Sequence, residues 1–362
     1  MKIIFLADSD QPRMSGVGDY TLNLCNSLQR QGHHGIVKSI GSPTSVARSG
    51  LADLVQSEQP DWVSIQFVPY AYAKRGLVHP RTLPWDRLRG KVGTHLMFHE
   101  VWIGSHHGAS LRERAVGLLQ RELIKSAISM IRPDIVHCSN PLYSTMLARA
   151  GIPNSILPLF GSLPISSARD DPYADDLQRL KPGTTRSDWM IVVFFGNIYP
   201  TKNLPAILAW LHNRCMRFGK DLLVVSLGNC PAAEATFSSL SACLEAKDRL
   251  HFLIKGRQDA SILSRLIVSA DCGLSTTPFN IIEKSSSAVT FVEHGLPVIV
   301  AEPGQPVRGC DLKLDDHAPD YWLFDDPSLQ AFPCLPPRRL PQARLPLISQ
   351  QFLSDLNRHA HK

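Results

Sequence analysis

Residues 1–20 read MKIIFLADSDQPRMSGVGDY, and this stretch sets the frame for everything that follows. Residues 3–7 are an uninterrupted apolar run of strand length, as expected of a strand buried on both faces. The run ends at Asp8. Gly16 and Gly18 then precede a stretch in which Val17, Thr21, Leu24 and Leu28 share one helical face, and Gly32 closes it. Strand, glycine-bearing turn and helix in that order make the first half of a β-α-β unit. The turn is a ligand loop by position, because the N–H groups and dipole of a helix amino terminus attract phosphate or sugar oxygens. A nicotinamide-binding fingerprint would need a third small residue at Thr21 and an acid ending the second strand. That strand instead ends Val37-Lys38-Ser39-Ile40, so the dinucleotide reading is disfavoured.

The same alternation extends outward. Strands are expected at 3–7, 35–40, 62–66, 94–99 and 135–139, with helical spacing over 20–30 and 112–130. Residues 166–187 are polar, with acidic pairs at Asp170-Asp171 and Asp175-Asp176, and read as an interdomain linker. A second series follows, with strands at 190–195, 222–227, 251–254, 272–276 and 297–301. Past Gly304 proline and arginine dominate until Leu345, Leu347, Ile348, Phe352 and Leu356 recur at roughly helical intervals, predicting a final helix that packs back. The fold class expected is therefore α/β, with two Rossmann-like parallel-sheet domains. The expected division is 1–165, a linker at 166–188, a second domain at 189–335, and a tail with its helix at 336–362.

The chain's 362 residues exceed what a single core usually serves, in keeping with two domains. With 44% hydrophobic and 19% charged residues it has the composition of an ordinary globular protein, and no transmembrane helix is expected because its longest apolar run, 189–195, is only strand-sized. The amino terminus turns acidic too early for a secretory signal. Eight scattered cysteines without a C-x-x-C motif read as reduced thiols of a cytoplasmic protein. The net charge of +6 lies wholly in residues 1–165, which hold 17 Lys and Arg against 11 Asp and Glu. Within them Lys74, Arg75, Arg81, Arg87, Arg89 and Lys91, with Trp85, form a segment suited to an anionic partner, a solvated loop being the plain alternative.

Asp8-Ser9-Asp10 imitates a metal-binding D-x-D, but two acids at a strand end more often cap or line a crevice. His33-His34 and His106-His107 lack a third ligand, so no metal site is expected. At the end of the fourth strand stand His99 and Glu100, where an open parallel sheet collects ligands; an imidazole there can donate to a substrate oxygen or carry a proton. In the second half Lys202 opens a helix after Phe195-Gly196-Asn197, placed to neutralise a leaving phosphate. Farther on, Glu283-Lys284-Ser285-Ser286-Ser287 leads into a serine-capped helix ended by Gly295. Its lysine, serines and amino terminus could hold a diphosphate, and a merely capped helix is the simpler reading.

Taken in order, these features resemble the GT-B glycosyltransferases of family 4, the group that includes sucrose and glycogen synthases. Ser15-Gly16-Val17-Gly18-Asp19-Tyr20-Thr21, Ile65-Gln66-Phe67-Val68-Pro69-Tyr70, Phe98-His99-Glu100, Phe195-Gly196 through Lys202-Asn203, and His294-Gly295-Leu296-Pro297-Val298-Ile299 carry the likeness, which covers most of residues 1–303. It implies two domains facing across a cleft, retention of anomeric configuration, and no cofactor or essential metal. Gly16, Val17, Gly18, Asn197, Lys202, Lys284, Ser285 and Ser286 would then serve the donor phosphates, and Glu283 or Glu293 the donor hydroxyls. His99 would orient the transferred sugar beside Glu100, with Asp19, Tyr20, Gln66 and Tyr70 on the acceptor side. Two departures stand out: Asn197 occupies the place of a family arginine, and the family's paired glutamates fall on Ile282 and Thr290.

The expected function is transfer of a sugar from a UDP- or GDP-sugar to an acceptor such as a polysaccharide or a lipid-linked phosphate. Segment 74–91 would touch the inner face of a membrane; nucleic acid is not an expected partner. The departures leave open a catalytically silent partner subunit of the same fold, and a nucleotide-sugar epimerase is a second rival.

Overall fold

The computed structural model describes residues 1–8, 15–39, 50–79, 88, 90–168, 170–244, 248–311 and 319–360. Its strands form two parallel six-stranded sheets. The first contains β1 (Lys2–Ala7), β2 (His34–Ser39), β3 (Trp62–Phe67), β4 (Gly93–Phe98), β5 (Ile135–Cys138) and β6 (Ser155–Ile156), in the order β2-β1-β3-β4-β5-β6. The second contains β7 (Trp189–Phe195), β8 (Asp221–Leu227), β9 (Leu250–Gly256), β10 (Cys272–Ser275), β11 (Val298–Val300) and β12 (Tyr321–Leu323), in the order β12-β11-β10-β7-β8-β9. Parallel neighbours cannot be joined by tight turns, so the helical stretches between them act as crossovers and cover the sheet faces. Along β7, Trp189, Ile191 and Val193 enter one buried cluster while Met190, Val192 and Phe194 enter the other. This alternation explains why a strand with both faces covered reads as one apolar run.

The chain divides into two compact units. One comprises Met1–Leu159, Gln305–Lys313 and Leu345–Lys362; the other comprises Phe160–Gly304 and Leu314–Arg344. Both are Rossmann-like α/β units, the fold class expected, and the ten anticipated strands lie within two residues of their positions. β6 and β12 were not anticipated, since two or three residues are too few to show a period.

The final helix, Leu345–Ala360, returns to the first unit. It buries Ile348, Phe352, Leu353 and Leu356, and Phe352 lies 6.0 Å from the Phe5 ring and 5.1 Å from that of His95. Leu347, part of the expected apolar pattern, is instead 58% exposed, because the buried stripe runs from Ile348 in steps of four.

The stretch read as a linker is folded into the second unit. Tyr173 and Leu177, four residues apart and hence on one helical face, are buried in its core. The Tyr173 hydroxyl donates to the Leu266 carbonyl at 3.0 Å, and the helix Ala174–Leu180 follows. The neighbouring acidic pairs hid this short apolar repeat. Of the basic segment, Lys74, Arg75 and Lys91 are exposed, while Arg81, Trp85, Arg87 and Arg89 lie outside the described residues. Among the described residues no helix is long and apolar enough to cross a membrane.

Leu177→Ala should lower the unfolding free energy by about 2–5 kcal/mol, as loss of a buried leucine does. Denaturant titration that finds no change in midpoint would return 166–188 to the status of a tether.

Candidate active site

Each sheet has one place where its construction reverses direction, between β1 and β3 in the first unit and between β7 and β10 in the second. In open parallel sheets ligands collect beyond the carboxyl ends of such strand pairs. The expected site residues fall largely at these two edges.

In the second unit β7 runs into Gly196, whose φ of +77° suits a residue without Cβ. The Gly196 N–H donates to the Leu227 carbonyl at 2.9 Å, and a Cβ there would stand 3.3 Å from the Ser287 hydroxyl. The loop after β7 and the serine-rich segment after β10 therefore touch. Buried Ile198 anchors this loop, and the Tyr199 N–H donates to Thr276 Oγ1, just past β10, at 2.9 Å. Asn203 Nδ2 donates to the Ala301 carbonyl at 2.7 Å, and the Thr201 hydroxyl bonds the Glu302 carboxylate. Lys202 lies on this pinned loop, exposed, two residues before the helix Leu204–Arg217 rather than at its start. Asn197 is exposed beside it.

Beyond β10 the chain makes a tight 3-10 turn over Phe279–Lys284, which holds half-buried Glu283 and Lys284. Ser285 caps the helix Ser286–Glu293, its Oγ accepting from the Ala288 N–H at 3.3 Å. Lys202, Lys284, Ser285 and Ser286 are thus all borne by loops at the β7–β10 edge. Thr276, Ser287 and Glu302 join them there; strand order, invisible in the sequence, is what reveals these additional residues.

Glu293 has a different role from the one expected of it. It is 3% exposed, at the far end of its helix, and its carboxylate accepts from the Gly161 N–H at 2.8 Å. Burial pushes its carboxyl above the usual range, opposed by bonds from the Gly161 and Arg344 backbones and the charge of Arg344. Thr290, three residues earlier, accepts from the Ser162 N–H at 3.0 Å. Both side chains fasten the start of the second unit, because one helical turn brings them to the same face.

In the first unit Ser15 caps the helix Gly16–Arg30: its Oγ accepts from the Gly18 N–H at 2.8 Å and donates to Asp8 at 2.7 Å. Asp8 thus supports the cap, and the Gly18 N–H, expected to meet a ligand, is already bonded. Asp10 lies outside the described residues. Asp19 sits in the helix's first turn and Val17 beside its buried face.

His99, Gln66 and Tyr20 come together. His99 Nε2 lies 2.8 Å from Gln66 Oε1, and the Tyr20 ring meets the imidazole edge-on with centroids 5.0 Å apart. Burial pushes the Tyr20 phenol well above its ordinary value, so it stays neutral. Gln66 is held in turn by the Tyr72 hydroxyl, which donates to its carbonyl at 3.0 Å. Tyr70, by contrast, is 46% exposed on the short helix Pro69–Tyr72. Glu100 is half-buried next to His99. The loop that follows lies directly on the helix Leu111–Ile131, where a Cβ at Gly117 would come within 1.8 Å of the Ile103 carbonyl oxygen. Among the described residues no group of three histidine, cysteine, aspartate or glutamate side chains could hold a metal ion.

No family model matches the sequence, and no curated protein matches it. Solved structures do resemble it in fold. The catalytic domain of starch synthase IV from Arabidopsis thaliana, bound to ADP and acarbose, is 12% identical, with 100% of this chain and 99% of that one covered and a TM-score of 0.57. HepE of Anabaena in complex with UDP is 14% identical, with 99% and 92% covered and a TM-score of 0.52. A glycosyltransferase from Rickettsia africae is 11% identical, with 83% and 78% covered and a TM-score of 0.51. The likeness establishes a fold with two Rossmann-like domains, the class to which GT-B proteins belong.

The position of Glu293 has a pH signature. A carboxyl whose folded pKa is raised contributes stability below its unfolded pKa, and this is lost as pH rises through the folded value. Relative to wild type, Glu293→Gln should therefore gain stability as pH rises from about 4, the ordinary carboxyl value, through the raised value of the folded protein. Denaturant midpoints of the two proteins that keep a constant separation across that range would contradict a buried, charge-averse Glu293.

Proposed function

We propose that the protein is a glycosyltransferase that takes a sugar from a nucleoside-diphosphate sugar and passes it to an acceptor. The observation that carries this reading is the meeting of two loops at the β7–β10 edge, where Gly196 abuts Ser287 and the lysine and serine segments share one rim. A departing diphosphate needs cationic and N–H donors fixed in place before charge develops on it. Lys202 and Lys284 would supply the charge. Ser285, Ser286 and the first turn of the helix Ser286–Glu293 would supply hydrogen bonds and the positive end of a dipole. Asn197 would add a neutral donor, and Glu283 would hold donor hydroxyls. Lysines thus take the part that a metal ion plays elsewhere.

In the first unit His99 would bind and orient the sugar, with Glu100 beside it. The Gly16–Val17 turn would meet phosphate or sugar oxygens, while Asp19, Tyr20, Gln66 and Tyr70 serve the acceptor. The ADP and UDP held by the starch synthase and HepE structures support a nucleoside diphosphate as the common part of the donor. Retention of configuration belongs to the same reading.

One observation favours a second reading. Asn197 stands where the resembling family has an arginine, and Thr290, in place of a glutamate, is occupied with the Ser162 backbone. A subunit that binds nucleotide without transferring sugar would show these features. Such a subunit would bind UDP, ADP or GDP yet neither hydrolyse the sugar donor nor transfer from it.

Titration calorimetry should detect binding of UDP, ADP or GDP, and Lys202→Ala should weaken it about ten- to a hundredfold, as expected on losing one bond to a charged group. Failure of all three nucleotides to bind would refute the proposal; unchanged affinity in the variant would remove Lys202 from the site.

The basic stretch 74–91 would serve an anionic, membrane-borne acceptor. Vesicles containing phosphatidylglycerol should bind the protein at low salt and release it as ionic strength approaches about 0.5 M, whereas neutral vesicles should not bind it. Equal behaviour toward both vesicle types would assign the acceptor to solution.

A further inference from the structure

A line of buried polar side chains leads from His99 through the first unit to the carboxyl-terminal helix. His99 Nε2 contacts Gln66 Oε1 at 2.8 Å, and Gln66 Nε2 contacts Ser64 Oγ at 2.8 Å. Ser64 Oγ meets His95 Nδ1 at 2.8 Å, and His95 Nε2 meets His137 Nδ1 at 3.1 Å. The line ends at an ion contact without hydrogen-bond geometry, where His137 Nε2 stands 3.3 Å from the carboxylate of Asp355. Ser64, Gln66, His95, His99 and His137 are all buried, whereas the Asp355 side chain is 20% exposed, with Arg358 Nη1 3.7 Å away. The residues come from β3, β4 and its carboxyl end, β5 and the last helix, and register pairs Ser64 directly with His95.

The chemistry of the groups gives the line a direction. A carboxylate at 3.3 Å attracts an N–H and repels a nitrogen lone pair, so His137 presents its proton on Nε2. Burial pushes the imidazoles of His137 and His95 below their ordinary range, against the attraction of Asp355 for a proton on His137, and so favours the neutral form of both rings. A neutral ring with Nε2–H has its lone pair on Nδ1, so His137 accepts from His95 Nε2–H. His95 Nδ1 then accepts from the Ser64 hydroxyl, whose oxygen accepts from the Gln66 amide. The Gln66 oxygen is left to accept from His99 Nε2–H. Each step follows from the one before, and the opposite polarity would aim an N lone pair of His137 at the carboxylate.

We propose that Asp355 fixes the polarity of this hydrogen-bond line and thereby holds His99 in the tautomer protonated on Nε2, with its lone pair on Nδ1. Asp355 is a positioning residue, acting through Gln66 at the far end. The consequence for a sugar rests on the reading of His99 given above: an imidazole in one tautomer presents one pattern of donor and acceptor, while a mixture would lose part of each encounter. The tautomer itself is independent of that reading. The line also makes the carboxyl-terminal helix more than a cover over the sheet, since its Asp355 supplies the only ionised end among these six residues.

The test is long-range proton–nitrogen NMR of the full chain labelled with nitrogen-15 histidine, without nucleotide. Wild-type His99, His95 and His137 should all appear as Nε2–H tautomers. Asp355→Leu should shift His99 toward a mixture, with the Nδ1–H form rising about tenfold or more, since the nearby charge that biased the line is gone. Asp355→Asn, nearly the same shape and able to donate as well as accept, should move it the same way; this variant decides the question if the leucine variant fails to fold. With Ser64→Ala the line is cut, and adding Asp355→Asn should then leave His99 unchanged. The proposal is overturned if wild-type His99 is not the Nε2–H form, if neither Asp355 variant alters it, or if the Asp355→Asn effect survives Ser64→Ala. A protein that binds no nucleoside diphosphate would sink the transferase reading and leave this result intact.

Discussion

Phe291 lies against the bare α-carbon of Gly273 in β10, where a Cβ would come within 2.4 Å of its ring. That contact sets the helix Ser286–Glu293 directly upon the strand. The same strand pairs with β7 over Cys272↔Val192 and Gly273↔Val193, and with β11 on its other side. A side chain at position 273 would lift the helix, and with it the Ser285 cap and the neighbouring Gly196–Ser287 approach. The rim at the β7–β10 edge therefore depends on close contact in the sheet below it. Its loops are fastened to the ends of β10 and β11 by Tyr199, Thr201 and Asn203 rather than by one another alone.

The first unit positions its histidine by the opposite means. Burying a polar group among apolar side chains is unfavourable unless its donors and acceptors find partners, and a line of paired groups locks its members into one arrangement. His99 is fixed by Gln66, Gln66 by Ser64 and the Tyr72 hydroxyl, and Ser64 by His95. Close contact of apolar groups tolerates small slips; a directed series of hydrogen bonds does not. The contrast suits the tasks proposed for them: a diphosphate would be held by charge, which tolerates displacement, whereas a sugar hydroxyl would have to find the correct side of an imidazole.

The alternation of strands and helices was legible because parallel strands buried on both faces leave continuous apolar runs, as in Ile3–Ala7 and Met190–Phe195. What the runs conceal is adjacency. Nothing in the sequence says that β10 rather than β8 alone flanks β7, so Thr276 and Glu302 gave no sign of standing beside the lysine loop. His95 and His137 were equally hidden, one inside an apolar strand and one in a run of four residues, because polar partners on neighbouring strands are far apart in the chain. Segment 166–188 was misread for a related reason: Tyr173 and Leu177 are two apolar residues among acids, and their weight comes from the core they enter. Glu293 was expected to hold donor hydroxyls, whereas it bonds the Gly161 backbone, 132 residues away in the chain and so invisible as its partner.

The departures at Asn197 and Thr290 bear on charge rather than on fold. On the proposed reading a departing nucleoside diphosphate, with about two and a half to three negative charges, meets the two positive charges of Lys202 and Lys284 and roughly half a charge from the helix amino terminus at Ser286. Asn197 would add a neutral donor there rather than a further charge. A carboxylate at 290, where the resembling family has a glutamate, would lie one turn from Glu293, already buried and resisting ionisation, and two such groups on one helical face would disfavour each other. Thr290 supplies the acceptor that the Ser162 backbone requires without adding that charge. The helix Ser286–Glu293 thus has the cation Lys284 just before its amino terminus and its buried acid, Glu293, at the other end.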